Sequence, residues 1–216
     1  MQITIREPGS AITHYVGMML AVFAAIPLLV KAGVTSGIRN MAAMAVFIGS
    51  MILLYGASAM YHSVNLEGSK LKFFRKIDHM MIFVLIAGTY TPVCLIILGG
   101  KIGYTLLAVV WSIAAVGMLV KAFWVTCPKW FSSVIYIAMG WVCVFVFGNL
   151  WSTLPLGGFL WLLAGGIIYT IGGVIYALKL PIFNSKHKSF GSHEVFHLFC
   201  MAGSFCHFVF MYLYVA

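Results

Sequence analysis

Charged side chains are scarce in this sequence, and negative ones are the scarcest. Of 216 residues only 13 are Lys or Arg and four are Asp or Glu. A water-soluble domain carries about 25% charged residues, whereas this chain carries 8%. No stretch of soluble composition is long enough to fold separately, so the sequence predicts one domain over residues 1–216 and excludes a soluble enzyme or a soluble binding module.

Cysteines are few and scattered, and no Cys-x-x-Cys pair occurs among the five. The pattern gives no sign of a disulfide framework or of a thiolate metal site. Most of these cysteines fall within apolar runs, where a thiol packs as a small apolar side chain: Cys94, Cys127, Cys143, Cys200 and Cys206.

Long apolar runs dominate the chain instead. Hydrophobic residues make up 63% of the sequence, and the mean hydropathy is +1.07. A bilayer crossing needs about 20 mostly apolar residues, and runs of this length satisfy their backbone as helices. The sequence therefore predicts an all-α membrane protein with seven transmembrane helices, at roughly 11–30, 41–62, 78–98, 103–124, 131–149, 157–179 and 192–214.

The basic residues predict the orientation of these helices. Three lie in connections on one side, namely Lys31, Arg39 and Lys101. The other ten lie on the side of the N-terminus: Arg6, Lys70, Lys72, Arg75, Lys76, Lys121, Lys129, Lys179, Lys186 and Lys188. Because cytoplasmic loops carry the excess of Lys and Arg, we expect a cytoplasmic N-terminus and an outside C-terminus in the plasma (inner) membrane. The net charge of +9 then indicates membrane lipids as partners and no nucleic acid.

Two histidines begin the last apolar run. His193 and His197 are four residues apart, so they project from one face of a helix and can chelate a single metal ion. The predicted topology brings His62, at the end of the second run, to the same membrane depth. Three neutral imidazoles leave zinc one open position for water, whose pKa the metal lowers towards neutrality. We therefore expect His62, His193 and His197 to hold zinc.

Two polar residues reach the same depth from the second and third runs. Asp78 could act as the base and acid of a hydrolase, and Ser58 could orient a ligand or donate to a developing oxyanion. Each has a simpler interpretation as well. Asp78 could cap a helix, Ser58 could bond to a carbonyl of its own helix, and His62 could sit at headgroup level as an interfacial ring.

Together these segments resemble the bacterial hemolysin III proteins, which belong with the progestin and adiponectin receptors in a superfamily of seven-helix membrane proteins. The matching motifs run through the chain: Thr13-His14, Ser58-Ala59-Met60-Tyr61-His62, Asp78-His79, Ala87-Gly88-Thr89-Tyr90-Thr91-Pro92, His193-x-x-x-His197 and Gly203-Ser204-x-Cys206-His207. No single one of them would suffice.

The resemblance implies a zinc ion at His62, His193 and His197, with Ser58 and Asp78 beside it. In the adiponectin receptors this site is linked to hydrolysis of the amide bond of ceramide. Members of the hemolysin III branch are associated with haemolytic activity and with membrane-lipid homeostasis. The implied function is a ceramidase-like zinc hydrolase acting on a lipid amide or ester.

Three other functions remain open at this stage. His193-Glu194-x-x-His197 also matches the His-Glu-x-x-His motif of zinc proteases, in which Glu194 would be the general base. A metal at the cytoplasmic end could instead clamp helices in a sensor or structural membrane protein that catalyses nothing. A haemolysin-like pore is the third possibility, against which stands the lack of polar residues on the outer halves of the runs.

Overall fold

The computed structural model describes residues 5–178 and 190–216 of the chain. All regular structure in these two ranges is helical. A π-helical segment, Val93–Leu98, extends α2, a 3-10 segment, Trp141–Val146, joins α4 to α5, and a second π-helical segment, Met211–Val215, extends α7. The α-helices are α1 Pro8–Ser63, α2 Gly68–Pro92, α3 Gly100–Phe123, α4 Lys129–Gly140, α5 Phe147–Thr153, α6 Leu156–Leu178 and α7 Ser192–Phe210.

Within the described ranges, six helices are long and apolar enough to cross a membrane. This confirms the prediction of an all-helical, multi-pass membrane protein. Each predicted apolar run lies on one of the six, which are Pro8–Ser63, Gly68–Leu98, Gly100–Phe123, Lys129–Thr153, Leu156–Leu178 and Ser192–Val215.

The first of them, α1, is bent back on itself at Gly37. This residue has φ 82° and ψ −178°, a conformation that interrupts the helix and that glycine adopts without strain. The two arms of α1, residues 8–36 and 38–63, lie side by side. At their far ends Glu7 N donates to His62 O at 3.0 Å, and in between Gly56 faces the side chain of Met18. The runs predicted at 11–30 and 41–62 occupy these two arms.

The structure differs from the predicted helices in three places. The residues between the first two runs are helical on both sides of Gly37, where the sequence suggested a loop. The predicted helix start at 78 is wrong, because α2 begins at Gly68. The sequence signal failed there because Lys and Arg fill the first turns of α2, so the apolar run starts later than the helix. The run predicted at 131–149 is divided between α4, the 3-10 segment and α5.

One predicted helix boundary and three of the basic residues lie outside the part of the chain that the structure describes. The predicted end of the sixth run at 179 lies outside the described residues. So do three lysines counted for the orientation: Lys179, Lys186 and Lys188.

Close packing at small residues brings the site-bearing helices together. A Cβ on Gly88 of α2 would lie 2.6 Å from Cβ of Ser50 on the second arm of α1, so the two backbones approach as only glycine permits. Where α1 packs on α7, Tyr55 donates a 2.5 Å hydrogen bond to Ser204. These contacts hold α2 and α7 against the second arm of α1, which carries His62.

Candidate metal centre

Three histidines from the first and the last helix of the chain lie close together. His62 ends the second arm of α1, and His193 and His197 lie on the first turns of α7. One ligand nitrogen from each ring lies within 4.8 Å of the others, and Nε2 of His62 is 3.2 Å from Nε2 of His193. The structure thus brings together the three residues that the sequence selected.

Glu7 orients the ring of His62. The Glu7 carboxylate accepts a hydrogen bond from His62 Nδ1, which leaves Nε2 directed towards His193. That hydrogen bond, more than any other contact, lowers the pKa of Glu7 from 4.5 to about 2, although partial burial opposes the shift. The carboxylate is therefore ionised throughout the neutral range, as the partner of a metal-binding histidine commonly is.

Thr13 and His14 hold the ring of His197 from the first arm of α1. Thr13 Oγ1 lies 3.1 Å from His197 Nδ1 and 2.9 Å from the carbonyl oxygen of Ser10. Because the threonine hydroxyl donates to that carbonyl, its oxygen accepts a hydrogen bond from Nδ1 of the ring. The proton of His197 is then on Nδ1, and the unprotonated Nε2 is available as a metal ligand. The ring of His14 stacks on His197, with centroids 3.6 Å apart and planes 7° apart.

Asp78 and Ser58 form a second polar pair beside the histidines. Both side chains are buried, and both line the same cavity as His193 and His197. Asp78 lies well inside α2, which rules out its interpretation as a helix cap. Its neighbour His79 is in the same helix, with Nε2 4.0 Å from an Asp78 carboxylate oxygen.

Both carboxylate oxygens of Glu194 have hydrogen-bond partners outside the histidine cluster. One of its carboxylate oxygens accepts from Ser10 Oγ at 2.5 Å. The other accepts from the backbone N–H of Gly191 at 2.8 Å, at the start of α7. With both oxygens engaged, Glu194 caps the helix and joins it to α1, a role that the His-Glu-x-x-His motif does not require.

The three imidazoles fit a zinc ion. In a tetrahedral site with bonds of about 2.0–2.1 Å, ligand nitrogens stand about 3.3–3.4 Å apart, close to the 3.2 Å between His62 and His193. Two of the rings have their outer nitrogens held by Glu7 and Thr13. An all-imidazole donor set also suits zinc better than magnesium or calcium.

A cavity opens from this cluster into the helix bundle. It has a volume of about 150 Å³, and most of its lining is apolar. Its lining residues include Asp78, Ser58, His193, His197 and, farther along α7, His207. Since His207 lies on the same helix about 15 Å from His197, the cavity is long enough for part of a lipid chain.

The sequence alone did not identify Glu7 as part of the site. It precedes the first apolar run and shares no motif with the histidines, and its contact with His62 exists only because α1 folds back at Gly37. The scarcity of acidic residues was the sequence signal that could have identified Glu7. With only four acidic residues in the chain, each one at the edge of an apolar run is a candidate partner for a metal-binding histidine.

Sequence comparisons identify the family of the chain. The profile of the family described as Haemolysin-III related matches residues 2–208. The chain belongs to this family. Hemolysin-3 of Bacillus cereus is 37% identical over 214 residues, covering 99% of this chain and 94% of that protein. The Hemolysin-3 homolog of Bacillus subtilis (strain 168) is 36% identical over 202 residues, covering 93% and 91% respectively.

A more distant relative places the family within a wider superfamily. Progestin and adipoQ receptor-like protein 1 of Caenorhabditis elegans is 25% identical over 225 residues. The match covers 94% of this chain and 50% of that longer protein. The haemolysin-III-related chain is accordingly a member of the progestin and adiponectin receptor superfamily, as its motifs suggested.

Proposed function

We propose that this protein is a zinc-dependent membrane hydrolase that cleaves a lipid amide or ester and serves membrane lipid homeostasis. One observation carries the proposal: the convergence of His62, His193 and His197 at one end of an apolar cavity that also contains Asp78. The resemblance to the adiponectin receptors, whose site is linked to cleavage of ceramide, favours an amide.

The residues of the site divide the chemistry among them. Bound zinc would supply a Lewis acid that polarises a carbonyl and activates water for attack. Glu7 and Thr13 hold the rings of His62 and His197 in the orientation that ligation needs. Asp78 takes the proton of the attacking water and returns it to the leaving group, and Ser58, which lines the same cavity, orients the substrate or donates to the developing oxyanion.

The cavity supports a lipid as the substrate. Its apolar walls would hold a hydrocarbon chain and exclude bulk water from the reacting carbonyl. The polar end, at the histidines, would receive the amide or ester group. Substrate entering from the bilayer needs no transfer through water.

We further propose seven crossings with the N-terminus in the cytoplasm and the C-terminus outside, in the plasma membrane. Each arm of α1 exceeds the about 20 residues that one crossing requires, so α1 would cross twice. A reporter active only in the cytoplasm and one active only outside, each fused to Ala216, test the orientation. Activity of the cytoplasmic reporter would contradict it.

Metal content and turnover test the enzymatic proposal separately. Purified protein should contain about one zinc per chain, and His62→Ala and His197→Ala should lose it. Incubation with ceramides, other lipid amides and lipid esters should release a fatty acid. Asp78→Ala should abolish release with zinc retained, whereas Glu194→Ala should keep it. A chain without stoichiometric zinc would overturn the metal site.

The same experiment distinguishes a non-enzymatic function. The histidine cluster joins α1 to α7, elements from the two ends of the chain, which is the arrangement of a metal clamp in a sensor or a structural membrane protein. Stoichiometric zinc with no turnover of any lipid would favour this alternative. Loss of lipid turnover in Glu194→Ala instead of Asp78→Ala would make Glu194 the general base, as in the His-Glu-x-x-His motif.

A further inference from the structure

A second cluster of reactive side chains lies where α3 and α4 meet, and one of its members, Ser132, lines the cavity. Nζ of Lys121, near the end of α3, is 2.5 Å from Oγ of Ser132 and 3.0 Å from Sγ of Cys127. Cys127 Sγ is in turn 3.2 Å from Ser132 Oγ. The exposed fractions are 1% for Lys121, 5% for Cys127 and 3% for Ser132, so bulk water does not separate these groups.

Lys121 has unusual surroundings for a lysine. Among residues 5–178 and 190–216, no carboxylate lies within salt-bridge distance of its amine. The ring of Tyr136 also lies near the amine, with its centroid 5.7 Å from Nζ. A lysine amine that is shielded from water and lacks an acidic partner can act as the general base of a nucleophile.

Ser132 is placed to be that nucleophile. It lies in the first turn of α4, where the positive end of the helix dipole stabilises developing negative charge. It also lines the cavity that contains Asp78 and His79. We propose that Ser132 and Lys121 form a Ser–Lys nucleophilic pair, a second reactive site whose substrate is an ester or another activated acyl group carried by a lipid chain in the cavity.

The reaction would proceed by covalent catalysis. Ser132 Oγ forms a bond to the acyl carbon while its proton passes to Lys121 Nζ. The bond from that carbon to the leaving alcohol then breaks, and Nζ returns the proton to the departing oxygen. Water releases the acyl group from Ser132 by the same two steps, and no redox partner is needed.

The geometry selects Ser132 over its neighbours. Cys127 touches the same amine but does not line the cavity. Ser133 lines the cavity and is equally buried, at 3%, but the short contact to Lys121 belongs to Ser132. Cys127 then positions the amine, and Ser133 provides a matched control.

A serine-directed reagent tests the pair without knowledge of the natural substrate. Full-length protein in detergent is treated with a long-chain alkyl fluorophosphonate, and the adduct is located by mass spectrometry. Ser132 Oγ bonds to phosphorus, fluoride leaves, and Lys121 takes the proton. We expect the adduct on Ser132, its absence in Ser132→Ala, its retention in Ser133→Ala, and labelling slower by a factor on the order of 100 in Lys121→Met.

Two further measurements make the result decisive. Lys121→Arg keeps a long nitrogen-bearing side chain beside Ser132, but the guanidinium stays protonated and provides no base. This variant should therefore label as slowly as Lys121→Met, while thermal unfolding shows that both variants fold. Labelling should persist after chelation of metal, which separates this site from the proposed zinc centre. An unlabelled Ser132 in the wild-type chain, labelling that survives Lys121→Arg, or labelling lost on chelation would each overturn the proposal.

Discussion

Glu7 accepts a hydrogen bond from one nitrogen of the His62 ring, and the other nitrogen of that ring lies 3.2 Å from Nε2 of His193. This relationship joins the residue before α1 to the end of its second arm. A carboxylate held in this way fixes the tautomer of the histidine and raises its basicity as a ligand. The bend at Gly37 is therefore required for the candidate metal centre, because it brings His62 next to Glu7.

Replacing Glu7 with Gln should weaken zinc binding by about 10–100-fold. Gln keeps the size of the side chain but removes the negative charge that holds the His62 ring. Competition between the protein and a fluorescent zinc chelator measures the affinity. Glu67→Gln is the matched control, since Glu67 is exposed and lies in the connection between α1 and α2. Equal affinities for the two variants would contradict the role of Glu7.

A smaller loss is expected for Thr13→Val. Valine has the shape of threonine but cannot accept the hydrogen bond from His197 Nδ1, so the ring loses its fixed orientation. The expected decrease in zinc affinity is about tenfold, at the low end for such partners. Thr35→Val is the control, because the Thr35 hydroxyl is exposed and bonds to the carbonyl of Lys31 in its own helix. An unchanged affinity in Thr13→Val would show that His197 needs no such support.

Loss of the carboxylate at Glu194 should affect stability and not turnover. In Glu194→Ala the N–H of Gly191 and the hydroxyl of Ser10 lose their acceptor, at a cost of about 1 kcal/mol, typical of a helix cap. For a chain of this length that corresponds to a fall in Tm of about 2–4 °C, measurable by thermal unfolding in detergent. Full stability combined with lost activity would instead assign Glu194 to catalysis.

The sequence predicted the histidine cluster well because three strong signals coincide. Apolar runs of bilayer length identify the helices, and the spacing of His193 and His197 fixes their common face. Membrane depth then selects His62. These signals depend on composition and local periodicity, which survive without any knowledge of tertiary contacts.

Three other features could not be predicted from these signals. They are the contact of Glu7, the pair of Lys121 and Ser132, and the start of α2. The contacts of Glu7 and Lys121 join residues with no common motif, and they follow from the bend at Gly37 and from the turn between α3 and α4. The start of α2 was missed because its first turns carry Lys70 and Lys72, and a hydropathy pattern marks the bilayer boundary, not the end of a helix.

Helix packing provides the last prediction, at the contact between α1 and α2. A methyl group added in Gly88→Ala would lie 2.4 Å from Oγ and 2.6 Å from Cβ of Ser50, and 3.2 Å from the carbonyl oxygen of Val46. The hydroxyl can rotate, but the Cβ is fixed to the backbone, so the helices must separate at a cost of about 1–3 kcal/mol.

Gly148→Ala, where nothing lies within 4 Å of the added atom, should unfold at the wild-type temperature. Ser50→Gly combined with Gly88→Ala should recover most of the loss, because it removes both the Cβ and the hydroxyl. If Gly88→Ala alone unfolds at the wild-type temperature, the close approach of α1 and α2 at this level is wrong.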